Sequence, residues 1–179
     1  MTSAVDTPAP KEWRGRFFED LQPGDVFRSR LGRTISEADN TWFTCLTMNT
    51  NQVHFNEPFA SGTRFGRLLV NSTLTLALVT GLSVGDISEN ATANLSWTDV
   101  LLPNPVYVGD TIWSESEILA ARPSASRPSV GLVTARTRGV NQRAEVIAEF
   151  KRTFMVYRRR APEVTDGFPV TADAWRVQR

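Results

Sequence analysis

His54 is the only histidine in a chain of 179 residues, and it stands in the stretch NTNQVHF, residues 49–55. An imidazole titrates near neutrality, so one held beside a substrate can take up a proton and return it. Asn49, Asn51 and Gln52 surround it with carboxamides, which donate and accept hydrogen bonds but cannot take up a proton. Asparagines also bond their own backbone, so the same residues suit a turn equally well. One cysteine, Cys45, and one histidine supply neither an internal disulfide nor a Cys/His metal set, so no metal is expected.

Short flanking segments must position that loop. Pro23-Gly24-Asp25 marks a turn, followed by an alternating run that reads as a strand ending near Gly32. Ser36, with Glu37 and Asp39 in the next turn, starts a helix that ends near Met48. Ala38, Trp42, Cys45 and Leu46 fall on one face of it and read as its core side, with Cys45 as core rather than nucleophile. After Phe55 the segment NEPFASGTRFGR reads as a short cover closed by Gly62 and Gly66. A second helix then begins at Asn71 or Ser72 and stops at Gly81 or Gly85. It is apolar on nearly every side and is expected to be buried all round.

The second half supplies a sheet to bury it. Four alternating runs, ATANLSWTDVLLP, PVYVGDTIWSESEIL, SVGLVTARTRGVNQ and EVIAEFKRTFMVYR, predict an antiparallel meander. The fold class is therefore α+β, one domain over 15–160, with a flexible tail over 1–14 and an extension over 161–179 that Phe168 and Trp175 could dock. A net charge of +1 gives no broad footprint for nucleic acid or an anionic membrane, and Arg158, Arg159 and Arg160 read as a solvated strand end. No stretch approaches the roughly 20 apolar residues of a membrane span, no secretory signal opens the chain, and a reducing cytoplasm fits the single cysteine.

The loop and the helix after it resemble the MaoC-like, (R)-specific enoyl-CoA hydratase branch of the hotdog fold. The likeness is carried by RTISEADNTWFTCLTM, the loop MNTNQVH, RFGRLLVNSTLTLALVTGL and LPNPVYVGDTI, and covers residues 15–158. It implies an antiparallel sheet wrapped around one long helix, a homodimer or higher oligomer joined through sheet edges, and an acyl-CoA thioester entering between subunits. Water would add across an enoyl thioester, or leave in reverse. Coenzyme A would arrive as part of the substrate, with no other cofactor.

The resemblance carries over residue by residue. His54 matches the family's acid/base histidine, Asn51 the asparagine that braces it, and Thr80 a supporting hydroxyl before the glycine Gly81. Asn49 stands where the family has an aspartate, Gln52 replaces a proline, and Asn71-Ser72 replaces a His-Gly pair. Asn49 can position water while His54 carries both proton steps. A carboxylate such as Glu57, or one on the substrate, could instead share the work, or the site could bind acyl-CoA without hydrating it. Amides near Ser72 and Thr73 can hold a developing enolate oxygen, a donor typically contributing about 3 kcal/mol. So many polar groups suit a short enoyl chain, branched or dicarboxylic, of the mesaconyl or itaconyl kind. Arg64 or Arg67 could meet its distal carboxylate. A hotdog thioesterase and a non-catalytic acyl-CoA-binding subunit are the alternatives.

Overall fold

The period-two alternation of the second half becomes four long strands in the computed structural model, which describes residues 13–165, 167 and 169. They are β3 (Ala91–Leu101), β4 (Thr111–Pro123), β5 (Val130–Asn141) and β6 (Val146–Tyr157), preceded by the short β1 (Val26–Arg28) and β2 (Arg33–Thr34). All pairings are antiparallel, in the order β1-β4-β5-β6-β3, with β2 beside β4. Ile112, Ser114, Ser116 and Ile118 of β4 turn inward, as their alternation requires. A register shift at Gly139/Val140 brings both Ile147 and Ala148 of β6 to the buried side.

Helix α3 (Ser72–Ser83) lies across this inner face. Leu74 and Val79 pack with Ile35, Val70, Ile112, Ile147 and Phe150, and each such side chain contributes roughly 1.5–3 kcal/mol on burial. Beyond Ser83 the chain continues as a π-helical turn, Val84–Ser88, so neither Gly81 nor Gly85 stops the helix as expected. Nor is the helix buried all round: Ser72, Thr73, Ala77 and Gly81 face out. One sheet covers one side of a helix, and the outer side here carries small residues rather than large apolar ones.

The inner face also holds a charge. Arg152 of β6 is 2% exposed, with its guanidinium donating to Ser83 Oγ (3.3 Å) and Ser88 Oγ (3.0 Å) and stacked on Phe154. Burial lowers its pKa to about 10, so it stays charged at neutral pH.

Helix α1 (Glu37–Leu46) starts where Ser36 predicted, with a reciprocal cap: Asp39 N donates to Ser36 Oγ at 3.1 Å and Ser36 N to Asp39 Oδ2 at 2.8 Å. The Ser36 amide and hydroxyl hold the Asp39 carboxyl below its usual range. Its inward face is the reverse of the expected one. Asn40 and Thr44 are fully buried, Phe43 is half-buried, and Trp42, Leu46 and Cys45 are exposed, Trp42 to 71%. The arginine cluster is not simply solvated: Arg159 pairs with Asp20 and stacks on Phe17, and Arg158 stacks on Phe18. Trp13 and Arg14 already join the body, through Glu89 and Asn90. Phe168 and Trp175 lie outside the described residues.

Gly139 sets how closely α3 approaches the sheet. A Cβ there would stand 2.4 Å from Val79 Cγ2 and 2.9 Å from Ile147 Cδ1. Gly139→Ala is expected to destabilise the fold by about 1–3 kcal/mol through overpacking, read from the midpoint of urea unfolding. An unchanged midpoint would show that α3 can ride up without penalty.

Candidate active site

The loop that carries His54 is folded by its own asparagines. Thr47 Oγ1 bonds the Phe43 carbonyl at the end of α1, Met48 turns the chain with a left-handed φ of 54°, and Asn49 N reaches back to Thr44 O. Asn49 Oδ1 then accepts from Asn51 N (3.0 Å), and Asn51 Oδ1 accepts from Val53 N (3.2 Å). These bonds lead into a single 3₁₀ turn, Gln52–His54, and the short helix α2 (Glu57–Ser61). Asn49 Nδ2 has no hydrogen-bond partner among the described residues; Asn51 is exposed and shapes the loop.

His54 is 6% exposed, and its Nδ1 lies 2.9 Å from the Leu69 carbonyl. A carbonyl oxygen can only accept, so Nδ1 carries the proton, and in the neutral ring Nε2 is left as the basic nitrogen. That is the arrangement a general base needs.

Asn40 lies between the loop and α3. Its Nδ2 donates to His54 O (2.8 Å) and Leu69 O (3.1 Å), and its Oδ1 accepts from Asn71 N (2.9 Å). Sequence reasoning passed over this residue. The only available signal was a polar side chain at the fourth position of a helix whose other face looked like the core.

Asn71, one of the two residues placed to cap α3, is the cap, and it is 2% exposed. Its Oδ1 takes both Thr73 N (3.0 Å) and Thr73 Oγ1 (2.7 Å), and its Nδ2 reaches Thr44 Oγ1 (3.3 Å). The amides of Thr73 and Thr75 are therefore occupied, and those of Ser72 and Leu74 have no partner at the start of α3 among the described residues. Thr80, expected to support the site, bonds Leu76 O at 2.8 Å, eight residues and about 12 Å along α3 from Ser72. Glu57 is exposed at the start of α2, and no hydrogen bond or ion pair joins it to these groups among the described residues.

A cavity of about 240 Å³ opens against the start of α3, lined by Ser72 and Thr75, by Leu69 and Val70, by Arg64, and by residues 102–106. Arg64 stacks on Phe65, 4.8 Å from the ring centre, whereas Arg67 lies over Tyr107 at 3.9 Å and lines no part of the cavity. The larger cavity, about 670 Å³, lies by Gly81, Gly85 and Asp86, toward the other end of α3. Among the described residues no cluster of three or more His, Cys, Asp or Glu side chains could hold a metal ion.

The wall of the site is anchored from below by Asp110. The turn before β4 bridges Tyr107 to Leu69 and bonds Val70 N to Val106 O. Asp110, 4% exposed, closes that turn by accepting from Tyr107 N (3.0 Å), Gln142 Nε2 (2.7 Å) and Arg143 Nη1 (2.8 Å). Burial alone would raise the Asp110 carboxyl, but the bonds from Arg143, Tyr107 and Gln142 outweigh it and hold it low.

The mesaconyl-CoA hydratase family model matches residues 1–178. The chain belongs to the mesaconyl-CoA hydratase family. It is 33% identical over 166 residues to the β-methylmalyl-CoA dehydratase of Chloroflexus aurantiacus, covering 88% of this chain and 47% of that protein. A MaoC-like dehydratase structure from Rhodospirillum rubrum superposes with a TM-score of 0.70 at 31% identity, covering 81% of this chain and 99% of that one. A Mycobacterium tuberculosis protein with a double hotdog fold matches with a TM-score of 0.73 at 21% identity, over 86% of this chain and 47% of that one, and supports the fold alone. The hotdog architecture expected from the resemblance is thus found, with the helix on the sheet's inner face. This family member spans about half the length of the curated relatives it matches. No described helix is long and apolar enough to cross a membrane.

Two outcomes check this geometry. With histidine labelled in nitrogen-15, the sole imidazole should give one tautomer, protonated at Nδ1; a mixture would contradict the Leu69 contact. Because the folded Asp110 pKa is depressed, its stabilisation is present above the ordinary 3.8 and is lost as pH falls through the lower folded value. Asp110→Asn should therefore unfold more easily than wild type at neutral pH, and the difference in urea midpoint should close on acidification below about 4.

Proposed function

We propose that this chain hydrates a short enoyl-CoA bearing a second carboxylate, of the mesaconyl-CoA type, and catalyses the reverse dehydration. The observation that carries this reading is His54, locked with Nδ1 on Leu69 O and Nε2 basic, in a loop that Asn40 bonds to the start of α3. Asn49 Nδ2 and His54 Nε2 hold a water between them. His54 takes one proton as the oxygen bonds the β-carbon, the electron pair of the double bond moves onto the thioester, and the enolate oxygen rests on the Ser72 amide. The imidazolium then returns its proton to the α-carbon, so one base serves both steps and no aspartate is needed at position 49.

Arg64 supplies the charge for the distal carboxylate. Its guanidinium is held on the Phe65 ring at the cavity wall, within the same cavity as Ser72. That the family and a relative at 33% identity are named for a C5 dicarboxylic acyl-CoA supports the same substrate class.

The working unit is a homodimer. Relatives carry about twice this length, and β3 lies at the sheet edge with Leu95, Trp97, Val100 and Leu101 exposed. A second copy would cover that edge and the outer side of α3. The acyl-CoA substrate brings the only coenzyme the reaction requires, and the cytoplasm is the setting such chemistry calls for.

Loss of enoyl absorbance would be followed with mesaconyl-CoA, itaconyl-CoA and crotonyl-CoA. Wild type should turn over a dicarboxylic ester best, and His54→Ala should lose roughly 10²–10⁴-fold. Arg64→Gln should raise KM for the dicarboxylic ester and leave crotonyl-CoA little changed. Release of free thiol would make the chain a thioesterase, and acyl-CoA binding with no turnover would make it a binding subunit.

A further inference from the structure

We infer that Asn40 is the positioning residue of the site, joining the ring of His54 and the start of α3 into one rigid unit through a single carboxamide. The inference rests on the hydratase reading for what this unit does, but not for its existence. Asn40 is fully buried in the middle of α1, where asparagine is a poor helix former and a buried carboxamide is tolerated only if its groups are paired. All three of its bonds go to the site. Two Nδ2 hydrogens meet His54 O and Leu69 O, and Oδ1 meets Asn71 N.

The Leu69 carbonyl shows why this matters. It accepts from both Asn40 Nδ2 (3.1 Å) and His54 Nδ1 (2.9 Å), so both of its lone pairs are engaged. Asn40 thus fixes the backbone of His54 and, separately, the acceptor that sets its ring. The imidazole cannot turn over without leaving that carbonyl. The other arm holds the amide of the α3 cap, one residue before the Ser72 donor, so the base and the oxyanion donor keep a fixed separation. No other side chain of this length supplies two donors and an acceptor. Aspartate offers oxygens to two carbonyls, serine one donor, and glutamine is a methylene too long.

The test uses the full chain with histidine labelled in nitrogen-15, in wild type, Asn40→Ala, Asn40→Asp, Asn40→Ser and, as a stability control, Ile118→Val. Ile118 packs in the core cluster around Leu21, Ile87 and Phe154, away from these bonds. The imidazole is the only one in the chain, so its signals need no assignment. Asn40→Ala and Asn40→Asp should mix the two tautomers and lower kcat for hydration on the order of 100-fold, with little change in KM. Asn40→Asp keeps an acceptor for the Asn71 amide and so isolates the histidine arm. Asn40→Ser, with one donor, should fall between. Ile118→Val should lower the unfolding midpoint but retain both the tautomer and kcat. A folded Asn40→Ala with the wild-type tautomer overturns the inference, whatever its activity. If Asn40→Ala does not fold, the Asp and Ser variants decide by the same comparison. If the tautomers mix as expected but wild type hydrates none of the three esters, the positioning role stands and the hydratase reading falls.

Discussion

Where α1, the histidine loop and the start of α3 cross, none of the three has a sheet ladder to pair its backbone groups. Buried peptide groups without partners each cost about 1–3 kcal/mol, so such a crossing forms only if side chains take their place. Asn40 and Asn71 do so here, bonding the His54 and Leu69 carbonyls, the Asn71 amide and the Thr73 amide, while Thr44 Oγ1 accepts from the Asn71 side chain. The rest of the active region follows from that requirement. The same bonds that let these segments bury themselves also aim the imidazole and, among the described residues, leave the Ser72 and Leu74 amides without partners.

The sheet contributes rigidity at a distance. Four long antiparallel strands present a floor, and Gly139 lets α3 settle on it closely enough for Val79 to reach the layer of Ile147. The turn closed by Asp110 then carries Val106 and Tyr107 against Val70 and Leu69. Strand register thereby reaches the carbonyl that bonds His54. Loops hold the reactive groups, but their coordinates are set by ladder hydrogen bonds and packing beneath them.

Much of this was legible in residue order alone. The Ser36 cap, the His54 loop and the helix after Asn71 sit where capping and turn residues placed them, and β4, β5 and β6 form the expected meander, but β3 lies beside β6 at the far edge rather than beside β4. The faces of α1 were not, because amphipathicity is judged from polarity and cannot see a polar group whose bonds are made inside. Asn40 therefore looked like surface and Trp42 like core. Asn71 and Thr80 show the same limit from the other side. Their types suit ligands and local backbone bonds alike, and only the geometry shows them bound to Thr73 and Leu76. The outer side of α3 misled for a different reason: Ala77 counts as apolar in the pattern while leaving little to bury.

Arg152 places a positive charge, kept at neutral pH, near the carboxyl end of α3, against Ser83 and against Ser88 of the π-helical turn that continues it. A helix by itself ends in a partial negative pole there and a partial positive pole at Ser72, and the two oppose each other at any point beyond the helix. A cation on the negative pole removes that opposition. At about 18 Å, the length of twelve helical residues, its own attraction for a unit negative charge at an effective dielectric of 20 is about 1 kcal/mol. A side chain packed deep in the core thus adds to the long-range potential at the start of α3, about two-thirds of a small domain's width away.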